Sequence, residues 1–395
     1  MPTLRESVTG RLPHIVSIRH DLHAHPELGY NEHRTSELVQ RELGAAGIRF
    51  AAGLAKGTGV LGWLPATTNP DTATTIALRA DMDALPILEE TGLPYASTHT
   101  GVMHACGHDG HTSILIGAAQ VLAETTERPN NLLFLFQPAE EGGAGGRAMC
   151  EDGVLDGRVL GKRADFVFGL HGHPIHELGR LVTCVGPMMA AADSFEIVVH
   201  AKGGHAAMPH LSIDPILVAS HIVTALQSIP SRNVSPLDSL VITVAMVQAG
   251  TAHNIIPDSA RMVGTIRTLT PGVRDLAFRR IEEVATNVAA AFGATAKATI
   301  TPGYPVTSNA SEAVARFREA VGAQLGTQLE PEEAEPTMGA EDFSYYGFHA
   351  PACFYWLGLA PEGNPCPGLH TPRFDFNDGA IETGMMAMCS LALSR

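Results

Sequence analysis

Several features that mark other protein classes are missing from this 395-residue chain. No apolar run reaches the ~18 residues that a membrane-spanning helix needs. The first residues, Met-Pro-Thr-Leu-Arg-Glu, lack the basic segment followed by an apolar segment that is typical of a secretory signal peptide. No internal repeat or low-complexity tract is evident. We therefore expect a cytoplasmic protein.

Cysteine is scarce and scattered, and no Cys-x-x-Cys pair occurs. This spacing argues against a disulfide framework, which needs a dense set of cysteines in a small secreted domain. Reduced thiols would remain available as metal ligands. The six cysteines are Cys106, Cys150, Cys184, Cys353, Cys366 and Cys389.

Positive charge is also in short supply. The chain has 26 Lys and Arg residues against 41 Asp and Glu residues, a formal net charge of −15, and no basic run. This balance argues against nucleic acid and against an anionic membrane as binding partners. A small-molecule substrate is the partner class that remains.

The apolar residues predict alternating helices and strands. With 45% hydrophobic residues, the chain is long enough for two ordinary domains. Helical spacing covers residues 4–23, 32–45 (with Asn31 as the N-cap) and 112–124, and short apolar runs cover 75–80, 131–137 and 166–170. This order predicts an α/β fold with a mostly parallel mixed sheet flanked by helices.

The pattern changes near residue 186. Strands are predicted at 194–200, 240–247, 261–269 and 295–301, with helices at 215–227 and 273–292. The order βαββαβ is typical of a ferredoxin-like α+β domain. A helix at 312–321, a strand at 353–357 and a closing helix from about 380 would complete the first sheet. We predict a catalytic metal-binding domain at 1–185 and 304–395, and an inserted lid or dimerisation domain at 186–303.

Polar side chains follow the predicted strands of the first domain. Asp81 and Asp83 come after the first strand, Glu140 and Glu141 after the second, and His171 after the third. Open α/β sheets bind ligands at the carboxyl ends of their strands. We therefore expect these side chains to share one site.

Two motifs predict metal chemistry at that site. Cys106-Gly-His108 offers a thiolate and an imidazole, which transition metals favour. Alone, such a cysteine can be an incidental buried residue, and the adjacent acids Glu140 and Glu141 can be a solvated turn. Together they favour a metal hydrolase, in which one acid coordinates and the other acts as a general base.

Seven motifs, in order from about residue 20 to residue 378, resemble those of the N-acyl-amino-acid amidohydrolases. This is the hippurate hydrolase and auxin-conjugate hydrolase branch of the metallopeptidase family that also contains aminoacylase-1 and glutamate carboxypeptidase. The motifs are Arg79-Ala-Asp81-Met-Asp83-Ala-Leu, His104-Ala-Cys106-Gly-His108-Asp109-Gly-His111, Gln137-Pro-Ala-Glu140-Glu141-Gly, Gly169-Leu-His171, Gly203-Gly-His205-Ala-Ala-Met-Pro-His210, Asn254-Ile-Ile-Pro257 and Leu369-His370-Thr-Pro372.

The resemblance implies a di-metal, exopeptidase-like catalytic domain with two divalent metal ions. Zinc is favoured, and manganese, cobalt or nickel can serve in relatives. Glu140 would act as general base and acid. Asp81 would orient a ligand imidazole, with Asp83 and Asp109 as alternatives. The implied ligands are Cys106, His108, Glu141, His171 and His370.

The resemblance also assigns roles to the inserted domain. His205 would stabilise the oxyanion, Asn254 and Arg267 would hold the substrate carboxylate, and Gly339 would lie in a substrate-facing loop. Arg267 suits that role because its planar guanidinium can donate two parallel hydrogen bonds to a carboxylate. A homodimer or higher homo-oligomer is implied as well.

We therefore predict metal-dependent hydrolysis of the amide bond of N-acyl or N-aroyl amino acids, which yields a carboxylate and a free amino acid. A dipeptidase or carboxypeptidase of the same family is the main alternative. A hydrolase with Cys106 as the nucleophile and a non-catalytic metal-dependent binding protein are the others. We interpret His20, His23 and His25 as structural.

Overall fold

The computed structural model describes residues 2–363 and 366–395. The helices of these ranges are α1 (Leu4–Ala24), α2 (His33–Ala45), α3 (His108–Glu124), α4 (Gly145–Asp152), α5 (Pro215–Leu226), α6 (Ser228–Arg232), α7 (Pro271–Ala291), α8 (Ser311–Leu325) and α9 (Ile381–Leu393). The strands are β1 (Arg49–Leu54), β2 (Gly59–Leu64), β3 (Thr75–Asp81), β4 (Asn131–Gln137), β5 (Phe166–Glu177), β6 (Leu181–Val182), β7 (Gly186–Met189), β8 (Ala191–His200), β9 (Gly204–His205), β10 (Leu240–Ala249), β11 (Ile255–Ile256), β12 (Ser259–Thr268), β13 (Thr295–Tyr304), β14 (Thr307–Asn309) and β15 (Ala352–Ala360). None of the helices in these ranges has the length and apolarity needed to cross a bilayer.

The contacts within the chain divide it into two units. The first comprises Met1–Met188, Ser308–Glu335 and Asp342–Arg395, and the second comprises Met189–Thr307 and Pro336–Glu341. The short segment Pro336–Glu341, which the sequence assigned to the range 304–395, therefore groups with the second unit. The boundaries at 185/186 and 303/304 remain predictions.

The first unit is built on a seven-stranded mixed sheet. Its strand order is β1-β2-β4-β3-β5-β15-β6, and the central strands β4, β3, β5 and β15 run parallel. Every residue of β3 and of β4 is buried. Because successive side chains of a strand point to opposite faces, this burial means that both faces of the sheet are covered.

Helices cover this sheet and bury their apolar residues against it. Helices α1, α3, α8 and α9 contact one another and enclose a core that includes Phe134, Phe168, Phe317 and Tyr355. Helix α3 is buried from His108 to Leu122. The carboxyl ends of β3 and β4 lie beside the first turn of this helix and, together with the middle of β5, carry the candidate site. The prediction that the third strand ends at 170 and that His171 follows it is wrong, because β5 continues to Glu177 and His171 lies within it, paired with Trp356 of β15.

The second unit contains a four-stranded antiparallel sheet in the order β10-β12-β8-β13. In β12, buried residues alternate with more exposed ones, as expected for a sheet with one covered face. Helices α5 and α7 contact each other over a core that contains Phe195, Ile222 and Ile281. The chain order βαββαβ and this strand order are those of a ferredoxin-like unit. The predicted fold class, an α/β sheet with a small inserted α+β domain, is confirmed.

The prediction that Asn31 caps α2 is wrong. Glu32 occupies the N-cap position, and its side chain makes no capping hydrogen bond to the helix. The Glu27 carboxylate accepts hydrogen bonds from the amides of Arg34 and Thr35 instead. A carboxylate from outside the helix thus satisfies donors that the helix itself leaves unpaired, and Glu32 is used elsewhere.

Candidate metal centre

Cys106 lies in the turn that leads into α3, and two imidazoles approach its sulfur. Its Sγ is 3.4 Å from Nε2 of His171 and 3.3 Å from Nε2 of His370. Gly107, the N-cap of α3, has φ +87°, and a Cβ there would lie 3.0 Å from the Phe376 ring. Glycine is needed at this point because the backbone must turn in the left-handed region in a crowded space.

Hydrogen bonds fix the orientation of the two buried imidazoles. His171 Nδ1 donates to the carbonyl oxygen of Gly172 at 2.8 Å, and His108 Nδ1 donates to the carbonyl oxygen of Asp83 at 2.9 Å. Each ring therefore directs its Nε2 atom toward the site. This is the arrangement in which an outer partner holds a metal-ligating histidine.

Glu141 and His370 lie on the more open side of the site, next to Cys106. Oε1 of Glu141 is 3.0 Å from Nε2 of His370. The backbone of His370 has φ +60°, and its N–H donates to the carbonyl oxygen of Ala105 at 2.8 Å. This bond ties the loop that carries His370 to the residue that precedes Cys106.

The donor set fits divalent metal ions. Ligand atoms lie within 4.8 Å of one another in the triad Cys106, His108 and His171 and in the triad Cys106, Glu141 and His370. Zinc bonds of ~2.3 Å to sulfur and ~2.0 Å to nitrogen, at a tetrahedral angle, would separate the two ligand atoms by about 3.5 Å. The two sulfur–nitrogen distances are close to this value. Among the described residues, His108 Nε2 is buried without a hydrogen-bond partner, and a cation would supply one.

The electrostatics of the site favour positive charge. Burial and the carboxylates of Glu141, Glu140 and Asp81 raise the pKa of the Cys106 thiol well above its usual value. Burial alone would lower the pKa of His108, but Asp81 and Asp83 outweigh it and raise that pKa to about 10. A bound metal ion would take the place of these protons and stabilise the thiolate.

Glu140 lies beside the donor set but has different contacts. Its side chain is buried, and Oε1 accepts a hydrogen bond from the amide of Asp342 at 3.4 Å. The adjacent residue Glu141 instead faces His370. A carboxylate oxygen of Glu140 lies within 4.8 Å of one of Glu141 and of a ring nitrogen of His108, so both neighbouring acids border the donor set.

Asp81 contacts a different histidine from those of the predicted ligand set. Its Oδ1 accepts from Nδ1 of His111 at 2.7 Å, and Nε2 of His111 accepts from the amide of Gly172 at 2.7 Å. Both nitrogens of His111 are therefore engaged. Asp81 Oδ2 lies 3.8 Å from Nε2 of His108. Its assignment as the group that orients a ligand imidazole remains a prediction.

The two alternatives to Asp81 also have distinct contacts. The carbonyl oxygen of Asp83 holds His108, as described above. Asp109 Oδ2 accepts from Nδ1 of His23 at 2.8 Å and lies 3.4 Å from Nη1 of Arg19. Both of these partners are buried. Of the three aspartates, Asp83 is therefore the one that hydrogen-bonds a member of the donor set.

Two candidates of the second unit, His205 and Asn254, lie on or directly beside a pair of short strands. Residue His205 of β9 pairs with Ile255 of β11. Nδ1 of His205 accepts from the amide of Ala207 at 3.0 Å, so that the ring presents Nε2–H as a donor. The carbonyl oxygen of Asn254 accepts from the amide of Ala206 at 3.1 Å, which places Asn254 and His205 in the same small motif.

Arg267 and Gly339 lie elsewhere in this unit. Arg267 is half-buried on β12, opposite Val241 and Ala192. Within the part of the chain that the structure describes, no hydrogen bond or ion pair of its guanidinium is found. The carbonyl oxygen of Gly339 accepts from the amide of Ala190 at 2.8 Å. The roles of all four residues remain predictions.

A buried polar network that the sequence patterns did not predict lies behind the site. Arg79 is fully buried and donates to Gln137 at 2.8 Å, to Asp81 at 2.6 Å and to Asp342 at 3.1 Å. Gln137 Nε2 also donates to Asp342, at 2.7 Å. The available signal was the pair of charged residues, Arg79 and Asp81, at the end of the mainly apolar strand β3.

Comparisons with known proteins identify the family of the chain. Residues 77–394 match the peptidase family M20/M25/M40. The chain is 40% identical to an IAA-amino acid hydrolase ILR1-like 2 of Arabidopsis thaliana over 384 residues, which cover 96% of this chain and 84% of the relative. It is 39% identical to an N-acetylcysteine deacetylase of Bacillus subtilis over 380 residues, which cover 96% of each.

A solved structure shows the same fold. The YXEP protein of Bacillus subtilis, described as a dinuclear metal binding peptidase of the M20 family, superposes with a TM-score of 0.84 at 35% identity and 98% coverage of both chains. Binding of two metal ions is typical of this family. The chain belongs to the peptidase family M20/M25/M40 and is a metal-dependent amidohydrolase of the branch that contains the ILR1-like hydrolases and the N-acetylcysteine deacetylases.

Proposed function

We propose that the protein hydrolyses the amide bond of N-acyl or N-aroyl amino acids to a carboxylate and a free amino acid. The observation that supports the proposal is that Cys106 belongs to two triads of metal-ligating atoms and that the buried carboxylate of Glu140 lies beside them. The names of the Arabidopsis and Bacillus relatives both describe an amino acid with an acyl group. This shared substrate class supports the proposal.

Glu140 transfers the proton in this mechanism. The metal ions, when bound to the five-residue donor set, supply Lewis-acid polarisation of the carbonyl and of water. The Glu140 carboxylate takes a proton from the attacking water while a carbon–oxygen bond forms. It then gives that proton to the amine nitrogen as the carbon–nitrogen bond breaks. Its burial shields the proton from bulk solvent.

The second unit supplies groups that suit the substrate's charges. The Nε2–H of His205 is a hydrogen-bond donor of the kind that stabilises an oxyanion. The half-buried guanidinium of Arg267, unpaired among the described residues, suits the carboxylate of an amino acid. Asn254 and Gly339 are the further substrate-binding candidates.

We propose zinc as the metal at both sites. A thiolate, three imidazoles and a carboxylate are ligands that zinc favours, and hard oxygen-preferring ions such as magnesium suit them poorly. Manganese, cobalt and nickel remain alternatives. Inductively coupled plasma mass spectrometry of protein purified without added metal would identify the ion.

We also propose a homodimer that forms through the second unit. Strand β10 is an edge strand of its sheet in the described part of the chain. Its exposed side chains include Val241, Met246 and Val247, and Ile216 and Leu217 of α5 are exposed as well. An apolar edge strand without a partner is a surface on which a second strand can pair.

A hydrolysis panel on metal-analysed protein tests the function. The panel contains hippurate, N-acetyl, longer-acyl and indole-acyl amino acids, together with unblocked dipeptides. We expect turnover of acylated amino acids, loss of turnover with a chelator, and recovery on addition of zinc. Preferential cleavage of the dipeptides would overturn the proposal in favour of a dipeptidase or carboxypeptidase. Chelator-resistant activity that an alkylating agent abolishes would indicate Cys106 as a nucleophile.

A further inference from the structure

We propose that Asp83 is a positioning residue that holds Glu140, Glu141 and His108 in their mutual geometry. The proposal rests on the proposed function, because it takes Glu140 as the base and Glu141 and His108 as metal ligands. It assigns to the Asp83 side chain a task different from the orientation of an imidazole. That task is to fix the backbone of the turn that carries the two acids.

The Asp83 carboxylate binds two consecutive amides of this turn. Oδ1 accepts from the N–H of Glu140 at 3.0 Å, and Oδ2 accepts from the N–H of Glu141 at 2.9 Å. The side chain of Asp83 is buried. Hydrogen bonds to an ionised acceptor are stronger than neutral ones, and removal of a buried acceptor leaves its donors unsatisfied. Both acids are thereby fixed at their backbones, with their side chains left for chemistry.

The turn requires such support because its backbone is unusual. Ala139 has φ +52° and Gly142 has φ +83°. A positive φ is unfavourable for alanine, since its Cβ crowds the backbone, and it persists only when surrounding contacts hold it. Oε1 of Glu32 accepts from the N–H of Ala139 at 2.8 Å. Three consecutive amides, at residues 139 to 141, are therefore bound by buried carboxylates.

Asp83 also contacts the other side of the donor set. Its carbonyl oxygen accepts from His108 Nδ1 at 2.9 Å, and its Oδ1 is 3.3 Å from the same atom. One residue thus joins the loop after β4 to the first residue of α3. Because Asp83 follows the fully buried strand β3 by two residues, this link is anchored to the buried centre of the sheet.

Amide hydrogen exchange in the metal-free protein tests the backbone role directly. We expect the amides of Glu140 and Glu141 to be protected in the wild type. Exchange should be about tenfold faster or more in Asp83→Asn, which keeps one acceptor oxygen, and faster still in Asp83→Ala, which keeps none. The matched control is Asp165→Asn. Asp165 accepts from the amide of Thr75 at 2.8 Å at the opposite end of β3, and its substitution should leave the two amides protected.

Metal affinity and steady-state kinetics test the consequence for the site. We expect Asp83→Asn to weaken zinc binding in a chelator competition by about 10- to 100-fold and to lower kcat more than it raises KM. In the cobalt-substituted protein the visible absorption bands should shift. Asp165→Asn should change none of these. Circular dichroism of each metal-free variant checks folding, and Asp83→Ser replaces any variant that does not fold.

The outcomes separate this proposal from the proposed function. If the wild type cleaves no acylated amino acid while Asp83→Asn still loses amide protection and zinc affinity, the substrate class fails and the positioning role stands. If Asp83→Ala retains amide protection, zinc affinity and kcat while the wild type is active, the positioning role is overturned.

Discussion

The guanidinium of Arg79 donates to the carboxylate of Asp81, two residues along the same strand, at 2.6 Å, and both side chains are fully buried. Burial alone would raise the pKa of Asp81, but His108 and Arg79 outweigh it and lower that pKa well below its usual value. His108 and Arg79 therefore keep an ionised carboxylate in place beside the candidate metal ligands.

Replacement of Arg79 by alanine should destabilise the protein strongly. The change removes the cation that the buried carboxylates of Asp81 and Asp342 share, and breaking a buried ion pair in this way costs about 3–5 kcal/mol. Urea unfolding measures the decrease in the free energy of unfolding for Arg79→Ala and for the control variant Arg147→Ala. Arg147 forms an exposed i,i+4 pair with Glu151, and its loss should leave the unfolding midpoint nearly unchanged. Equal unfolding midpoints for the two variants would contradict this prediction.

Substitution of Glu140 by glutamine should separate catalysis from metal binding. The amide keeps the size of the side chain but cannot take a proton from water, so that kcat should fall by about 10²–10⁴-fold. Metal content, measured by mass spectrometry, should stay near that of the wild type. The control is Glu141→Gln, which removes a proposed ligand and should lower metal content. Undiminished kcat in Glu140→Gln would remove Glu140 as the base.

Cys106→Ala should deplete metal at both sites. The sulfur belongs to both triads of ligand atoms, so its loss removes one donor from each. Cys389→Ala is the control, because Cys389 is equally buried but lies in α9 and has no neighbours of the donor set. We expect metal analysis to show full occupancy in the control and little in Cys106→Ala. Full occupancy in both would contradict the ligand role of the thiolate.

The contribution of His23 to stability should decline in mild alkali. Burial alone would lower the pKa of His23, but Asp109 and Glu89 outweigh it and raise that pKa to about 9. The folded state thus binds the proton more tightly than the unfolded chain, whose histidine pKa is about 6.5. The stabilisation, on the order of 3 kcal/mol, is complete below pH ~6.5 and is lost as the pH rises toward 9.

Thermal unfolding at several pH values checks whether the stabilisation by His23 declines as the pH rises. The difference in Tm between the wild type and His23→Gln should be largest near pH 6 and should shrink between pH 6.5 and 9. His14→Gln is the control, since His14 is exposed and only its contact with Glu42 is lost. A difference in Tm that grows with pH over this range would contradict the assignment.

Val247→Asp should weaken self-association. The change places a charge on the exposed edge strand β10, where Val247 is 57% exposed, and charged edges oppose strand pairing. Sedimentation velocity should show a shift from dimer to monomer, with Tm of the monomer little changed. Phe50→Asp, on the edge strand β1 of the first unit, is the control and should leave the dimer intact. A dimer that persists in Val247→Asp would place the interface elsewhere.

Periodicity predicted the elements that are long and strongly apolar. The bounds 131–137 agree with β4, and 75–80 fall one residue short of β3. The hairpin of β1 and β2 was not predicted, because Phe-Ala-Ala-Gly has neither strict alternation nor β-branched residues. Helix α3 begins at His108 and not at 112. Its first turn consists largely of buried polar residues, which a search for apolar spacing does not detect.

The site could be predicted in its residues but not in its contacts. Cysteine, histidine and acid motifs identified Cys106, Glu140 and their neighbours by chemistry. The bond from Asp83 to the amides of residues 140 and 141 spans more than fifty positions and depends on the backbone angle of Ala139. Neither a hydrogen bond between distant residues nor a single backbone angle leaves a pattern in one sequence. For the same reason, the contact of Asp81 with His111 was not foreseen.

The separation of Cys106 from His370 along the chain has a consequence for biosynthesis. The two residues are 264 positions apart, yet their side chains meet at 3.3 Å. A ribosome-bound chain that has emerged only as far as the second unit carries the sulfur but not its distal imidazole. Complete loading with metal must therefore wait until translation is nearly finished, so that acquisition of the ions reports on the integrity of the whole polypeptide.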